Sequence, residues 1–291
     1  MYMKDFVFFT LFILTVFSSC QNSKDDPSNQ SDNNILFSAQ VKPTKSTTPL
    51  VPGVIATVYA FKSGNNYPVN QGDYEALASG ALTGVDDYIM YLPDGTYNFY
   101  TVSTNTSDMT ESLYNNQVTN LQNNTDYLWA QNLNETVLNA TKSVSVVLKH
   151  IACQININLI AGNGITINSI DSAYIQKPDS SGTINILTGV ISQSPLSPDS
   201  TKMNITGTAV KTVLLPTSAT SIPFYVYLKV NGENYSLPYS ALINTPSGGF
   251  SSGNLYEYTA VINLEKMIFS ALNVYDWNTN DLTDNPIYPE E

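Results

Sequence analysis

Histidine and cysteine form many of the nucleophilic and metal-binding sites of proteins, and this 291-residue chain holds very few of them. It contains one histidine, His150, and two cysteines, Cys20 and Cys153. A triad or dyad that needs imidazole could therefore form only at residue 150, and the familiar zinc sites lack ligands. Residues three apart on a regular strand face opposite sides, so His150 and Cys153 are not expected to share a site. Cys153 alternates with Ile155 and Ile157 and is predicted to be a core residue.

Paired carboxylates could serve a glycosidase, which needs two of them around the scissile bond. Asp86 and Asp87 are adjacent in the sequence, so on a strand they would point to opposite faces and would not form such a pair. Asp171 is the other candidate, and solvated loop acids are the simpler explanation for all three. We therefore predict that the chain is not an enzyme and has no catalytic residue, metal site or cofactor.

Aromatic side chains offer a binding hypothesis, because tyrosine and tryptophan can stack on sugar rings. Trp129 lies among asparagine-rich segments and is the candidate glycan contact. The alternative is an ordinary β-protein whose tryptophans and 19 tyrosines cover the faces of its sheets.

The charge balance argues against a nucleic acid partner. The chain carries 24 acidic and 12 basic residues, a net charge of −12, and every basic residue is a lysine. A negative surface without a basic cluster repels a phosphate backbone. We predict no nucleic acid binding.

The N-terminal segment predicts export. Lys4 precedes an apolar run, residues 6–17, which is too short to cross a bilayer of roughly 30 Å as a helix. Two serines and Cys20 follow, so residues 1–19 are predicted to be a signal peptide. Cys20 resembles the acylated cysteine of a bacterial lipobox and is the predicted lipidation site, with secretion without lipid as the alternative. Residues 20–34 are polar throughout and predict a disordered tether.

Apolar and polar residues alternate along the remaining chain, which predicts an all-β fold. Turn residues predict two hairpins, one that joins 88–92 to 97–102 and one that joins 222–230 to 233–239 through Asn231-Gly232. Segment 103–139 is predicted to be loops with one or two short strands. The further predicted strands are 35–41, 54–61, 165–176, 183–190, 205–215, 256–264 and 268–277.

The longest β signal, residues 142–160, is unusually long for one strand. Two strands that meet near Lys149 and His150 explain it better, and we place a domain boundary there. Short strands with frequent turn signals favour a β-sandwich in each half. The predicted domains are residues 35–149 and 150–291.

Several segments, taken in order, resemble the fimbrillin-like proteins of Bacteroidales, which supply pilus subunits and anchors. The resemblance runs from the lipobox nearly to the C terminus. The matching segments are Cys20, the opening strand at 35–39, Leu92-Pro-Asp-Gly-Thr-Tyr-Asn-Phe99, Leu148-Lys-His-Ile-Ala-Cys153, Leu214-Leu-Pro216, Gly253-Asn-Leu-Tyr-Glu-Tyr258 and Trp277.

The resemblance implies two tandem transthyretin-like, Greek-key β-sandwiches and assembly by donor-strand exchange with other pilus subunits. In polymerising members a protease cuts after a basic residue, usually arginine, and removes the leading segment. The C-terminal strand of another subunit then fills the groove. This chain has no arginine, and the loop after the first strand offers only Lys42 and Lys45. Lys45 is the candidate maturation site, and an anchor that keeps its lipid and first strand is the alternative.

The resemblance also implies a location and further partners. We expect a lipid-anchored protein of the outer membrane, exposed at the cell surface or in a fimbrium, because Lys24-Asp-Asp26 resembles the acidic export signal of Bacteroidales lipoproteins. Glycans or proteins of a host or of other bacteria are candidate adhesion ligands. Asp171-Ser-Ala173 resembles an O-glycosylation tripeptide of the same bacteria. The alternative function is a glycan-binding surface lipoprotein of a nutrient-capture system.

Overall fold

The computed structural model describes residues 32–42, 48–177, 179–194, 198–234 and 238–278. Within these ranges the regular structure is β-strand except for one 3-10 turn at Val85–Asp87, which confirms the all-β prediction. No helix in these ranges is long and apolar enough to span a membrane. The strands of the first half are β1 (Asn33–Val41), β2 (Thr48–Pro49), β3 (Ile55–Lys62), β4 (Asn70–Ala76), β5 (Ala81–Gly84), β6 (Met90–Leu92), β7 (Gly95–Ser103), β8 (Leu113–Tyr114), β9 (Gln117–Gln122), β10 (Leu128–Val137) and β11 (Lys142–His150).

The second half of the chain contributes twelve strands within the described ranges. They are β12 (Cys153–Ala161), β13 (Ile167–Lys177), β14 (Ser181–Asn185), β15 (Val190–Ser194), β16 (Asp199–Lys202), β17 (Asn204–Thr206), β18 (Ala209–Leu214), β19 (Ser221–Val230), β20 (Glu233–Asn234), β21 (Tyr239–Asn244), β22 (Asn254–Ile262) and β23 (Met267–Asp276).

The sheet of the first half closes on itself. Its order is β11-β10-β7-β3-β4-β5-β1, and β1 also pairs in parallel with β11 from Ile35 opposite Lys142 to Val41 opposite Leu148. Alternate side chains of these strands point inward and form one buried cluster, which includes Phe37, Val58 and Phe99. Because the sheet closes, few strand edges are free. Every second side chain of each strand points inward, and these side chains fill the interior.

The second half is built from two sheets packed face to face. One has the order β17-β18-β12-β22-β23, and the other has the order β16-β13-β19, with β20 and β21 both paired to β19. The buried cluster between them takes Ile155 from β12, Ile175 from β13, Phe224 from β19 and Tyr258 from β22. Both sheets therefore turn one face to a shared core, which is the packing of a β-sandwich.

A small fourth sheet joins the two halves. Its order is β15-β14-β9-β8, so strands from 113–122 pair with strands from 181–194. A third buried cluster lies beside it and includes Tyr59 and Trp129 of the first half with Ile184, Ile186 and Leu215 of the second. The contact between the halves is therefore both hydrogen-bonded and apolar.

Several sequence predictions about strands are wrong. Segments 88–92 and 97–102 form no hairpin, because β6 pairs with β1 and β7 inserts between β3 and β10. Segment 103–139 contains the ten-residue strand β10, whose alternation is interrupted by a register shift between Asn132 and Glu135. The predicted strands 183–190 and 205–215 are each two strands with a tight turn between them.

Other predictions are confirmed. The signal at 142–160 is two strands, β11 and β12, separated by Ile151 and Ala152. The hairpin at Asn231-Gly232 forms, with Val230 opposite Glu233. The division into two domains at 149/150 stays a prediction.

Candidate strand-exchange site

Strand β1 is the first described strand of the chain and is held on both edges. Strand β11 runs parallel along one edge, while β6, β5 and β2 follow one another antiparallel along the other. Ile35, Phe37 and Ala39 point inward and are buried, whereas Leu36 between them is half exposed. The strand therefore offers three apolar side chains to the core at a spacing of two residues.

Phe37 is the largest of these inward side chains. Its ring meets Tyr74 with a centroid distance of 5.1 Å and Phe99 at 5.5 Å, both edge to face. This geometry places ring edges against ring faces, the favourable arrangement of aromatic quadrupoles. Phe37 thus ties β1 to β4 and β7.

The start of β1 is fixed by a polar network around Asn33, which is 3 % exposed. Its side-chain amide donates to the Leu92 carbonyl at 3.1 Å and to Asp94 Oδ1 at 2.9 Å, and its Oδ1 accepts the Ala140 N–H at 2.8 Å. Asp94 also accepts the Asn139 N–H at 3.0 Å. These donors, first the Asn139 N–H and then Asn33, lower the pKa of Asp94 because they stabilise the carboxylate.

The loop after β1 contains the predicted maturation lysines. Lys42 is exposed, and its backbone N–H donates to the Leu148 carbonyl at 3.0 Å. Lys45 and the predicted lipidation site Cys20 lie outside the described residues, so both assignments stay predictions.

Strand β23 is the counterpart of β1 at the other end of the fold. It pairs antiparallel with β22 and is the last strand of its sheet. All its side chains from Ser270 to Asp276 are exposed, and these include the apolar Leu272, Val274 and Tyr275. This ten-residue edge strand contains neither lysine nor proline, two residue types that commonly protect an edge against pairing with another strand.

His150 and Cys153 do not share a site. The His150 ring pairs with Asp126, Nδ1 to Oδ1 at 2.8 Å, and stacks on Trp277 with centroids 4.0 Å apart. Cys153 is buried, as predicted, and its Sγ donates to the Leu214 carbonyl at 3.2 Å. Burial raises the pKa of the Cys153 thiol to about 12, which keeps it protonated.

The structure places Trp129, the candidate glycan contact, in the third buried cluster. It is 8 % exposed, and its indole N–H donates to the Ile186 carbonyl at 2.7 Å. Gly189 packs so closely on the ring that a Cβ there would lie 2.6 Å from it. The glycan contact stays a prediction, and this packing does not favour it, because little of the ring is left for a sugar.

The candidate carboxylates remain on the surface. Asp86, Asp87 and Asp171 are exposed. Among the described residues no three histidine, cysteine, aspartate or glutamate side chains are grouped so that they could hold a metal ion.

The sequence pattern of the fimbrillin-like family matches residues 25–277. The chain belongs to the fimbrillin-like family. The match covers β1, β23 and the clusters between them, so the two candidate strands are both part of the family region. The family is of a fimbrial and adhesion type rather than an enzymatic one, and it is associated with cell-surface fimbriae. No protein of curated function matches the chain.

Solved structures share the fold at low sequence identity. A candidate cell adhesion protein of Bacteroides uniformis is 17 % identical with a TM-score of 0.62, and the match covers 84 % of this chain and 99 % of that one. A second such protein, from Bacteroides ovatus, is 16 % identical with a TM-score of 0.62, over 86 % and 100 %. A tip fimbrial protein of Porphyromonas gingivalis with a C-terminal truncation is 12 % identical with a TM-score of 0.54, over 84 % and 100 %.

Proposed function

We propose that this fimbrillin-like protein is a structural, anchor or accessory component of pili that joins other subunits by exchange of β-strands. The observation that carries the proposal is the position of β1, which closes the sheet of the first half by pairing on both edges. A partner strand could take its place, because inter-strand hydrogen bonds use the backbone and do not depend on sequence.

The groove left by β1 would have defined chemistry. The backbone groups of β11 on one side and of β6, β5 and β2 on the other would need new partners. The positions now filled by Ile35, Phe37 and Ala39 would accept apolar side chains two residues apart.

Strand β23 is the proposed donor, because its Leu272 and Val274 are apolar and two residues apart. Its register against β22 shifts between Phe269 and Ala271, so Met267, Phe269, Leu272 and Val274 all lie opposite buried residues of β22. Leu272 and Val274 are nevertheless exposed. The segment from Ser270 to Asp276 therefore loses little side-chain burial when it leaves its own sheet, whereas Met267 and Phe269 leave the core.

An experiment on β23 tests donor-strand exchange. Val274→Asp places a charge on the face that would enter the groove and is expected to abolish polymer formation in cells that assemble pili, because the buried charge would be unpaired. Tyr275→Asp is the matched control, since Tyr275 is also exposed and, as the residue next to Val274, lies on the opposite face of the strand. Sedimentation of pilus fractions measures both, and normal assembly by Val274→Asp would contradict the proposal.

We further propose that Cys20 carries the lipid that anchors the protein in the outer membrane with its folded part at the cell surface. Whether the protein is an anchor or a processed subunit depends on the loop after β1. Mass spectrometry of the mature N terminus in assembled pili distinguishes the two. A lipid-modified Cys20 identifies an anchor, and a terminus at Ser46 identifies cleavage after Lys45; any other terminus contradicts both.

The division into transthyretin-like domains at residues 35–149 and 150–291 is part of the same proposal. The first and second buried clusters, each confined to one half, support it. Fragments 35–149 and 150–291, expressed separately, are each expected to be β-rich by circular dichroism and to unfold cooperatively in urea. A fragment without such a transition would contradict the division.

A further inference from the structure

We infer that Asn278, Trp277 and His150 form a clasp that holds the end of β23 on its own sheet and sets how readily that strand is released. The inference rests on the proposed role of β23 as a donor strand and names the contact that regulates it. It follows from a contrast in burial: the side chains from Ser270 to Asp276 are exposed, whereas Trp277, directly after the strand, is buried.

Asn278 makes the most specific contact of the clasp. Its Oδ1 accepts the His150 N–H at 2.7 Å, and its Nδ2 donates to the His150 carbonyl at 3.2 Å. One side-chain amide thus satisfies both backbone groups of a residue at the end of β11. This is the pairing that a neighbouring strand would supply, and it continues beyond the last residue of β23.

The His150 ring adds a stacking contact and a polar contact to the clasp. It lies nearly parallel to the Trp277 ring, with an interplanar angle of 9°, and Asp126 holds its Nδ1. The other carboxylate oxygen of Asp126 accepts the Asn105 amide at 2.9 Å, so the carboxylate is fixed in turn. Trp277 itself is buried against Ala152, Val213 and Leu255.

Gly253 closes the clasp from the side of β22. Its carbonyl accepts the Trp277 N–H and its own N–H donates to the Ala152 carbonyl, both at 2.8 Å. Its φ is +72°, and a Cβ there would lie 2.6 Å from the Asn278 amide nitrogen. The position therefore accepts only glycine without displacing Asn278.

The N-terminal part of β23 is held by the core, because Met267 is buried and the Phe269 ring meets Tyr258 with a centroid distance of 5.6 Å. Ser270 Oγ donates to the Thr259 carbonyl at 3.3 Å. The side chains from Ser270 to Asp276 are exposed, and Trp277 just after them is buried again. Release of an antiparallel edge strand begins by fraying at an end, because only the terminal pair can open without breaking its neighbours. The clasp lies at the end that adjoins the exposed segment from Ser270 to Asp276, so opening of the clasp is the first step of release from that end.

Hydrogen exchange followed by mass spectrometry on the full chain before assembly tests the clasp. Asn278→Ala is expected to speed exchange in the C-terminal half of β23 about tenfold, the effect of losing two hydrogen bonds of ordinary strength. Asn273→Ala is the matched control, because Asn273 lies on the same strand and is exposed. Exchange in β3 and β12 is expected to stay unchanged in both variants.

Gly253→Ala opens the clasp without removing any of its side chains. It is expected to reproduce the local exchange increase in β23. Gly248→Ala, which has a similar φ of +89° but open space around the Cβ, serves as its control and is expected to leave β23 unchanged. Unchanged exchange of β23 in Asn278→Ala would overturn the inference, and so would an equal increase throughout the protein.

Assembly is measured separately so that the two proposals can fail independently. Asn278→Ala is expected to assemble faster than the unmodified protein. If Asn278→Ala raises exchange in β23 but Val274→Asp assembles normally, the clasp inference is supported and β23 is not the donor strand. If Asn278→Ala leaves exchange in β23 unchanged but Val274→Asp prevents assembly, only the clasp inference is contradicted.

Discussion

At the scale of the residue, His150 and Cys153, the histidine and the cysteine that the structure describes, make contacts within the fold. The single histidine is engaged by Asp126 and Trp277, and the thiol of Cys153 is buried among apolar residues. The core position of Cys153 followed from its alternation with Ile155 and Ile157, since a period of two on a strand identifies the face. The partners of His150 could not be predicted, because Asp126 and Trp277 lie 24 and 127 residues away in the sequence.

The raised pKa of Cys153 predicts a thiol that is inert in the folded protein. A pKa of about 12 instead of the ordinary 9.0 lowers the thiolate fraction at pH 8 about a thousandfold. The peptide that contains Cys153 is therefore expected to react with iodoacetamide only after denaturation, as measured by mass spectrometry. Rapid labelling of the native protein would contradict burial of this thiol.

Two adjacent glycines allow a steric prediction. Gly248 and Gly249 both have φ near +90°, but only Gly249 has a neighbour in the way, since a Cβ there would lie 1.8 Å from the Thr217 carbonyl oxygen. Gly248→Ala is expected to cost about 1–2 kcal/mol of unfolding free energy from backbone strain. Gly249→Ala is expected to cost a further ~1–3 kcal/mol from overpacking. Urea denaturation compares the two variants, and equal values would argue against the close contact.

At the scale of the element, alternation identified most strands but not their partners. The segments of β1, β3, β19 and β22 were recognised because one face of each is regularly apolar. Strand β10 was missed because its polar middle, at Asn132 to Glu135, interrupts the pattern at a register shift. The hairpin of β6 and β7 was predicted from Pro93-Asp-Gly95, yet this turn carries the chain from one pairing to another.

Mutations on the two faces of β1 are expected to change the free energy of unfolding by very different amounts. Phe37→Ala is expected to lower the free energy of unfolding by about 3–5 kcal/mol, because it leaves a cavity between Tyr74 and Phe99. Leu36→Ala changes a half-exposed neighbour and is expected to stay within about 0.5 kcal/mol of the unmodified protein. Denaturation curves of both variants test this assignment, which a large loss for Leu36→Ala would contradict.

At the scale of the whole molecule, the halves are joined by a sheet and a buried cluster that draw on both. Trp129 is central to this contact, because its indole N–H reaches the Ile186 carbonyl across 57 residues of sequence. A tryptophan among polar residues suggested a surface ligand contact. Its polar neighbours in sequence are not its neighbours in space.

Trp129→Phe tests this structural role. The variant keeps an aromatic ring but leaves the buried Ile186 carbonyl without its donor, so the free energy of unfolding is expected to fall by about 1–3 kcal/mol. Tyr114→Phe, at an exposed position of β8, is expected to have no measurable effect. If Trp129→Phe were as stable as the unmodified protein, the hydrogen bond would not contribute to the contact between the halves.

The sequence by itself determined the β class, the inward face of most strands and the scarcity of histidine and cysteine. These properties depend on local period and on residue types, which can be read directly along the chain. Only the tertiary structure decided that β1 closes its sheet in parallel with β11, that Trp129 is buried and that Asn278 meets His150. Backbone hydrogen bonds between strands are the same for almost any sequence, so the pairing of distant strands is set by how the whole core packs.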